Sequence, residues 1–183
     1  IFIMKMFTNS FFIKIFNKIY FLKNRYVQKK IINYEEYFYP LDKIKNWNFF
    51  YGKNGFIQLH CLIPFSENNL NIKKILNEIN LLKVPVYLCV MKLFKKEIKE
   101  NSFTGEGISL ALDIKNNDKS KTLCKKIYQL LIKFNGKVYL SKDSNLSKED
   151  FIEMYPYFTN LLKFRNKNDM NIYSSEQLER LIK

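Results

Sequence analysis

Two short segments of the chain carry polar side chains at alternating positions, and these residues could do chemistry on a ligand. Gln58 and His60 interrupt one apolar run, and Ser109 and Asp113 interrupt another. Successive side chains of a strand point to opposite faces of a sheet, so within each segment these residues share a face. Amide, imidazole and hydroxyl groups can bind the hydroxyls of a ligand, or they can face water, and the pattern leaves both open.

Residues of a third segment are predicted to join this face. Lys92 lies within a hydrophobic run that ends at Phe94, and the small residue Ala111 leaves room beside Ser109. A charge next to small and aromatic side chains fits the wall of a ligand cavity as well as a solvated surface. A lone histidine such as His60 is more often a surface or packed residue than a ligand contact, so the pattern alone assigns it no role.

The elements that must position these residues alternate regularly along the chain. Periodicity and turn signals predict four strands, at residues 56–63, 86–94, 108–114 and 137–140. Two amphipathic helices are predicted between them, one capped by Ser66 and the other capped by Asp118 and ended by Asn135-Gly136. The order β-α-β-β-α-β predicts an α+β protein with a ferredoxin-like antiparallel sheet and both main helices on one face.

Helices are also predicted at both ends of the chain. One runs from Ser10 to about Lys23, and a capping-box pattern at Ser147 begins a helical segment that continues to the C-terminus. We therefore expect two regions: an N-terminal helix and turn in residues 1–50, and a substrate or cap domain with C-terminal helices in residues 51–183.

The positive charge of the chain could indicate a nucleic-acid partner, but its composition argues against one. The formal net charge is +14, yet only three residues are arginine, and the lysines are scattered. Arginine is the preferred residue for bidentate phosphate and base contacts, so a solvated surface and no nucleic-acid partner are the favoured interpretation. RNA binding is the alternative of another class; it requires paired aromatic residues on the open sheet face, where only Phe56 and Phe94 qualify.

The cysteines predict a cytoplasmic protein without a metal site. Cys61, Cys89 and Cys124 are odd in number and widely spaced within apolar segments, which favours buried free thiols in a reducing compartment. With a single histidine and no Cys-x-x-Cys, ordinary zinc spacing is excluded. The apolar residues 11–22 are too few and too interrupted by lysine to span a bilayer, whereas peripheral contact with a membrane surface stays open.

Several spaced motifs follow one another in a single order along the chain. They are Tyr39-Pro40-Leu41-Asp42, Trp47-Asn48, Tyr51-Gly52, Gly55-Phe56-Ile57-Gln58, Gly107–Asp113, Gly136–Asp143, Met154-Tyr155-Pro156 and Ser174–Ile182. In this order they resemble the C-terminal part of FAD-linked oxidases of the vanillyl-alcohol-oxidase superfamily, and within it the decaprenylphosphoryl-ribose 2′-oxidases. The resemblance covers nearly the whole chain.

The resemblance implies a flavoenzyme that oxidises a secondary alcohol of a sugar or polyprenyl-phosphate sugar. FAD would be the cofactor, and a hydride would pass from the alcohol carbon to flavin N5. The implied flavin contacts are Tyr139, Lys142, Asp143 and Ala111. Lys142 would be the main electrostatic group in catalysis. A sugar-lactone or polyol oxidase of the same superfamily is the alternative.

The resemblance also assigns residues to the substrate. The implied substrate contacts are Gln58, His60, Lys92, Phe94 and Ser109, with Phe38 and Tyr39 at the entrance of the cavity. His60 stands where the family's Gly-Phe-x-Gln-x-Gln pattern has its second glutamine, so the contact to substrate hydroxyls is expected to differ.

Part of the flavin site is expected to lie outside this chain. No glycine-rich loop for phosphates occurs in it, and it begins at Ile1 with an apolar stretch. We therefore expect an upstream FAD-binding domain that this chain lacks, and no activity from the chain alone. A short-chain reductase that completes an epimerisation is a further implied partner.

Overall fold

A computed structural model describes residues 10–26, 29–39, 51–95, 102–168 and 172–182. The turn and helical piece predicted between Pro40 and Trp47 lie outside these residues, as does the motif Trp47-Asn48.

Seven helices and four strands occur in the described residues. The helices are α1 (Ser10–Arg25), α2 (Tyr34–Phe38), α3 (Leu70–Leu82), α4 (Asp118–Lys133), α5 (Lys148–Met154), α6 (Phe158–Lys167) and α7 (Glu176–Ile182). The strands are β1 (Phe56–Pro64), β2 (Val86–Phe94), β3 (Gly107–Lys115) and β4 (Lys137–Val138).

The four strands form one antiparallel sheet in the order β2-β3-β1-β4. In chain order the elements of this unit are β1, α3, β2, β3, α4 and β4. This arrangement confirms the predicted α+β class and the ferredoxin-like topology. The central strands β1 and β3 pair over their full nine residues, so their two faces are well defined.

The hydrophobic core lies between one face of the sheet and the helices α3 and α4. The apolar rows of β1 and β3 are buried in it, and they consist of Ile57, Leu59, Cys61, Ile63, Ile108, Leu110, Leu112 and Ile114. Ile75 of α3 and Leu123, Ile127 and Leu131 of α4 are fully buried against them. Each such side chain contributes about 1.5–3 kcal/mol by leaving water, which fixes the opposite face of the sheet as the polar one.

The N-terminal ends of the two core helices differ from the predicted ones. Asn117, not Asp118, caps α4, because its Oδ1 accepts hydrogen bonds from the backbone N–H and hydroxyl of Ser120. A 3₁₀ turn, Glu67–Asn69, separates Ser66 from α3, and the Ser66 hydroxyl oxygen accepts from the N–H of Asn71 at 2.9 Å. Both differences leave the predicted helix faces unchanged.

Strand β4 is shorter than the predicted 137–140. Lys137 and Val138 pair with β1, and the N–H of Tyr139 still donates to the carbonyl of His60 at 2.8 Å. The chain then turns, because Leu140–Lys142 form a 3₁₀ turn in which the N–H of Lys142 donates to the Tyr139 carbonyl. Tyr139 and Lys142 therefore lie at the edge of the sheet beside His60.

The C-terminal helices pack beside α4 and support this turn. Ser147 caps α5 as predicted, since its hydroxyl accepts from the N–H of Asp150. Phe151 and Tyr155 are buried and stacked, and the Tyr155 hydroxyl donates to the carbonyl of Val138 at 2.7 Å. Leu181 of α7 completes this part of the core.

Helix α1 is largely exposed. Helix α1 confirms the predicted N-terminal helix, and its aromatic residues Phe11, Phe16 and Tyr20 are exposed. Within the described ranges no helix is both long enough and apolar enough to cross a membrane.

Cys61 and Cys124 are buried as expected, but the prediction was wrong for Cys89, which is exposed because β2 is the edge strand of the sheet.

Candidate functional site

The sheet face opposite α3 and α4 carries the residues singled out from the sequence. Gln58 pairs with Asp113 across β1 and β3, and His60 pairs with Ala111, with Ser109 one pair further along. Directly opposed residues of an antiparallel pair share a face, so these five residues lie together. We call this surface the polar face.

Strand β2 extends the polar face by two predicted residues. Lys92 lies opposite Ser109, and Phe94 lies opposite Gly107. Lys92 is exposed and Phe94 is half-buried. The register therefore places a cation and an aromatic ring beside the hydroxyl of Ser109, on the side of the sheet away from the helices.

His60 is bonded within the polar face and is biased toward its neutral form. Its Nε2 lies 2.7 Å from the hydroxyl oxygen of Ser109. Burial lowers the pKa of His60, and the positive charges of Lys92 and Lys142 lower it further. A neutral imidazole carries one donor and one acceptor, so His60 can exchange hydrogen bonds with both Ser109 and a ligand hydroxyl.

Four rings form an aromatic wall at one end of the polar face. Phe103 contacts His60, Phe94 and Tyr139, with ring centroids 5.0, 5.9 and 5.1 Å away. His60 and Tyr139 also meet edge to face at 5.2 Å. Phe103 was missed by sequence reasoning because it lies in the connection between β2 and β3, where no periodicity assigns a direction to a side chain.

A second group of polar residues lies at the other end of the polar face. Asp113 is buried, with only 5% of its surface exposed, and its two carboxylate oxygens accept from different donors. Gln58 Nε2 donates to Oδ1 at 2.7 Å, and the Tyr51 hydroxyl donates to Oδ2 at 3.0 Å. The Tyr51 ring stacks on Phe56 at 4.1 Å. Asp113 belonged to the predicted polar row and Tyr51 to the motif Tyr51-Gly52, but neither residue received a role from the sequence.

Tyr51 keeps its proton in this arrangement. Burial raises the pKa of Tyr51, and the nearby charge of Asp113 and the hydrogen bond to it raise the pKa further. The phenol is therefore a donor at neutral pH.

Lys142 lies near the polar face, whereas the neighbouring Asp143 is bonded to the C-terminal helix α7. Lys142 is exposed on the turn after Tyr139. The Asp143 carboxylate instead forms an ion pair with Arg180 at 2.9 Å and accepts from Gln177 Nε2 at 2.7 Å. Both partners belong to α7, so the carboxylate helps to hold this helix, and the expected flavin contact of Asp143 stays a prediction.

Phe38 and Tyr39, the expected entrance residues, lie at the end of α2. Their side chains are 66% and 56% exposed, and Phe38 contacts the rings of its neighbours Tyr37 and Tyr39. No ring contact joins them to the polar face within the described part of the chain, so their role at a substrate entrance stays a prediction.

A largely apolar hollow of about 490 Å³ lies between the C-terminal helices. It is lined by residues such as Leu140, Phe158 and Ile182, and none of its lining residues belongs to the polar face.

Among the described residues no group of three or more His, Cys, Asp or Glu side chains could hold a metal ion.

Comparison with known proteins agrees with the resemblance seen in the motifs. Over 175 residues the chain is 26% identical to decaprenylphosphoryl-beta-D-ribose oxidase of Mycolicibacterium smegmatis. The match covers 94% of this chain and 38% of the length of that relative. No protein-family model matches the chain.

Proposed function

We propose that this chain forms the substrate-facing part of an FAD-dependent oxidoreductase that oxidises a secondary alcohol of a sugar or sugar-lipid. The observation that carries the proposal is the polar face, on which Gln58, His60, Lys92 and Ser109 lie together with Tyr139 at its edge. The similarity to an oxidase whose name specifies a decaprenylphosphoryl ribose supports the class of reaction and substrate.

The polar face fits the ring system of a flavin but not its phosphates. Ala111 is small enough to admit a flat ring, Tyr139 offers an aromatic side chain, and Lys142 offers a cation at the sheet edge. The five glycines of the chain form no phosphate-binding loop. We therefore propose that the phosphates and adenine are held by sequence outside this chain, in line with the greater length of the relative. The division of the chain near residue 50 remains part of this proposal.

Bound FAD would accept, at N5, the hydride that leaves the alcohol carbon, while the hydroxyl loses its proton and the product is a ketone. The role of this chain is to hold that carbon in place and to stabilise the charge that develops. Lys142 supplies the positive charge in this proposal. Gln58, Ser109 and His60 orient the substrate hydroxyls, and we assign His60 to recognition rather than to proton removal.

The aromatic wall limits what can bind beside these groups. Phe94, Phe103 and Tyr139 present apolar surface against the polar groups of His60 and Lys92. Sugars have apolar C–H faces and hydroxyl edges, so a wall of this mixed kind suits them. A sugar lactone or polyol offers the same groups; a substrate screen of the complete protein with polyprenyl-phosphate sugars, aldoses, lactones and polyols distinguishes these classes.

Two partners follow from the resemblance and belong to the proposal only. A short-chain reductase would reduce the keto product and complete an epimerisation. Helix α1 exposes aromatic residues beside Lys14 and Lys18, a composition that suits contact with a membrane surface or with another part of the protein.

The test is reduction of the flavin by substrate in the complete FAD-loaded protein, followed by loss of flavin absorbance with oxygen excluded. Lys142→Ala should slow the reduction about 100-fold, because loss of one preorganised electrostatic group costs roughly that factor. Lys125→Ala is the matched control, since Lys125 is an exposed lysine of α4 on the other side of the sheet.

An unchanged rate in Lys142→Ala, or an equal loss in Lys125→Ala, would remove Lys142 from the site. Failure of every sugar, lactone and polyol to reduce the flavin of the unaltered protein would overturn the proposed function itself.

A further inference from the structure

The hydrogen bonds of Asp113 determine what Gln58 can offer to a ligand. A carboxylate accepts hydrogen bonds and donates none, so the group of Gln58 that faces Asp113 must be the amide nitrogen. The 2.7 Å contact from Gln58 Nε2 to Asp113 Oδ1 is consistent with this requirement. The orientation of the glutamine amide is therefore set by chemistry as well as by geometry.

The carbonyl oxygen of Gln58 remains, together with the second of its two amide N–H groups. Within the described ranges Gln58 Oε1 accepts no hydrogen bond, and the side chain is only partly buried. Its neighbours across the sheet, Asp113 and Ala111, offer no donor that would compete for this oxygen. Gln58 thus presents an acceptor at the polar face.

Asp113 is itself held in place, which keeps the Gln58 amide in one orientation. The Tyr51 hydroxyl occupies the second carboxylate oxygen, and the Tyr51 ring is fixed by stacking on Phe56 and by edge contact with Tyr87 at 5.2 Å. Rotation of a buried carboxylate breaks the hydrogen bonds to both of its oxygens. The free-energy cost is higher than for an exposed carboxylate, because water does not replace the broken hydrogen bonds.

We propose that Asp113, held by Tyr51, is a positioning residue that fixes the orientation of the Gln58 amide, so that Oε1 faces away from the carboxylate and the ligand places a hydrogen-bond donor opposite it. In terms of the proposed function, on which this inference rests, that donor is a hydroxyl of the sugar; the ring N–H of the flavin has the same chemistry and is the other source. The site at His60 and Ser109 differs, because an imidazole and a hydroxyl can each donate or accept.

The first experiment is made on the unaltered FAD-loaded protein and needs no turnover. One side-chain amide proton of Gln58 should be protected from exchange with solvent in NMR spectra, because it is bonded to the buried carboxylate. In Asp113→Asn the new carboxamide can donate to Gln58 Oε1, which turns the amide round and directs its N–H groups outward. An unprotected Gln58 amide in the unaltered protein would overturn the inference without regard to activity.

The second experiment measures flavin reduction by substrate. Asp113→Asn should raise KM at least tenfold and change kcat much less. The variant loses the hydrogen bond from the ligand to Gln58 Oε1, which forms equally in the ground state and the transition state. Adding Gln58→Glu to Asp113→Asn should recover most of the KM, because the glutamate can accept from Asn Nδ2 and still present a second oxygen. Tyr51→Phe should produce a smaller rise in KM.

Asp150→Asn is the matched control. Asp150 accepts from Gln129 Nε2 at 2.9 Å, so it forms the same kind of carboxylate–glutamine pair, but on α5 and α4, away from the polar face. It should leave KM unchanged. An Asp113→Asn variant in which both KM and FAD affinity are unchanged contradicts the inference, as does a raised KM that the double variant does not recover.

A substrate analogue separates the two sources of the donor. If a sugar hydroxyl faces Gln58, one deoxy analogue should bind the unaltered protein weakly and should lose no further affinity in Asp113→Asn. If Asp113→Asn instead lowers FAD affinity and leaves KM unchanged, the donor is the flavin N–H and the substrate assignment is wrong. The proposed function fails separately, when the unaltered protein reduces its flavin with none of the substrates.

Discussion

At the scale of single residues, the polar face depends on the protonation and orientation of a few side chains. Gln58 and His60 lie two residues apart on β1 and belong to different networks, one ending at Asp113 and the other at Ser109. The sequence placed all four on one face, because alternation along a strand is a local property. It could not show that Asp113 bonds Gln58, since that pairing depends on strand register.

His60 allows a prediction at this scale. Because its pKa lies below 6.5 for the reasons of burial and neighbouring charge, the ring should stay neutral near pH 7 and become protonated only in more acidic solution. A protonated ring cannot accept from a hydroxyl. The KM for substrate should therefore be flat near neutral pH and rise only in acidic solution, and pH-dependent steady-state kinetics of the complete protein would measure this.

His60→Gln is the companion variant. The amide of glutamine does not titrate, so the acid rise in KM should disappear, and the preference among substrates should shift because the family pattern has glutamine at this position. A variant with the same KM, the same pH profile and the same preference as the unaltered protein would show that His60 does not contact the substrate.

At the scale of elements, the short strand β4 is the least secured part of the sheet. Only two residues pair with β1, yet the segment carries Tyr139 and Lys142 to the polar face. Tyr155 compensates, since its buried hydroxyl donates to the carbonyl of Val138 and its ring packs on Phe151. The motif Met154-Tyr155-Pro156 therefore has a structural reason: it anchors the strand that precedes Lys142.

Tyr155→Phe tests this anchor. The change keeps the ring and leaves a buried carbonyl without its donor, which should lower the free energy of unfolding by about 1–3 kcal/mol. Urea unfolding followed by circular dichroism measures it. Tyr173→Phe is the control, because the Tyr173 side chain is 68% exposed and removal of its hydroxyl should be nearly neutral. Equal stability of the Tyr155→Phe variant and the unaltered protein would show that the hydrogen bond does not support β4.

At the scale of the whole molecule, the polar face would form one wall of the proposed site rather than enclose it. Among the described residues, α3 and α4 cover one side of the sheet, and the other side is bordered by Tyr51, Phe103 and Tyr139. A flavin enclosed on its remaining sides needs further protein, and the relative is long enough to supply it, since the match spans 38% of its length.

The isolated chain provides the corresponding prediction. Purified alone, it should contain no stoichiometric FAD and show no oxidase activity, because the phosphate contacts are proposed to lie elsewhere. Joining it to the flavin-binding region should restore both. The absorbance spectrum of the purified chain measures the flavin content, and a yellow chain with one FAD per molecule would contradict the proposal.

The sequence by itself determined the order of the elements, the buried and polar sides of β1 and β3, and the capping of α5 by Ser147. These depend on periodicity and on contacts within a few residues, which are visible in a linear chain. The strand predicted at residues 137–140 was too long, and the predicted cap of α4 was Asp118 instead of Asn117. Alternative strand ends and alternative cap residues differ only slightly in free energy, so local patterns do not separate them.

Only the tertiary structure decided which groups share a bond. Tyr51 and Asp113 meet across 62 residues of chain, Phe103 contacts His60 from a connection without periodicity, and Asp143 forms an ion pair with Arg180 of α7. Such partners are selected by register and by packing of distant elements. The residue type determines which hydrogen bonds and ion pairs a side chain can form, whereas the fold determines with which partner it forms them.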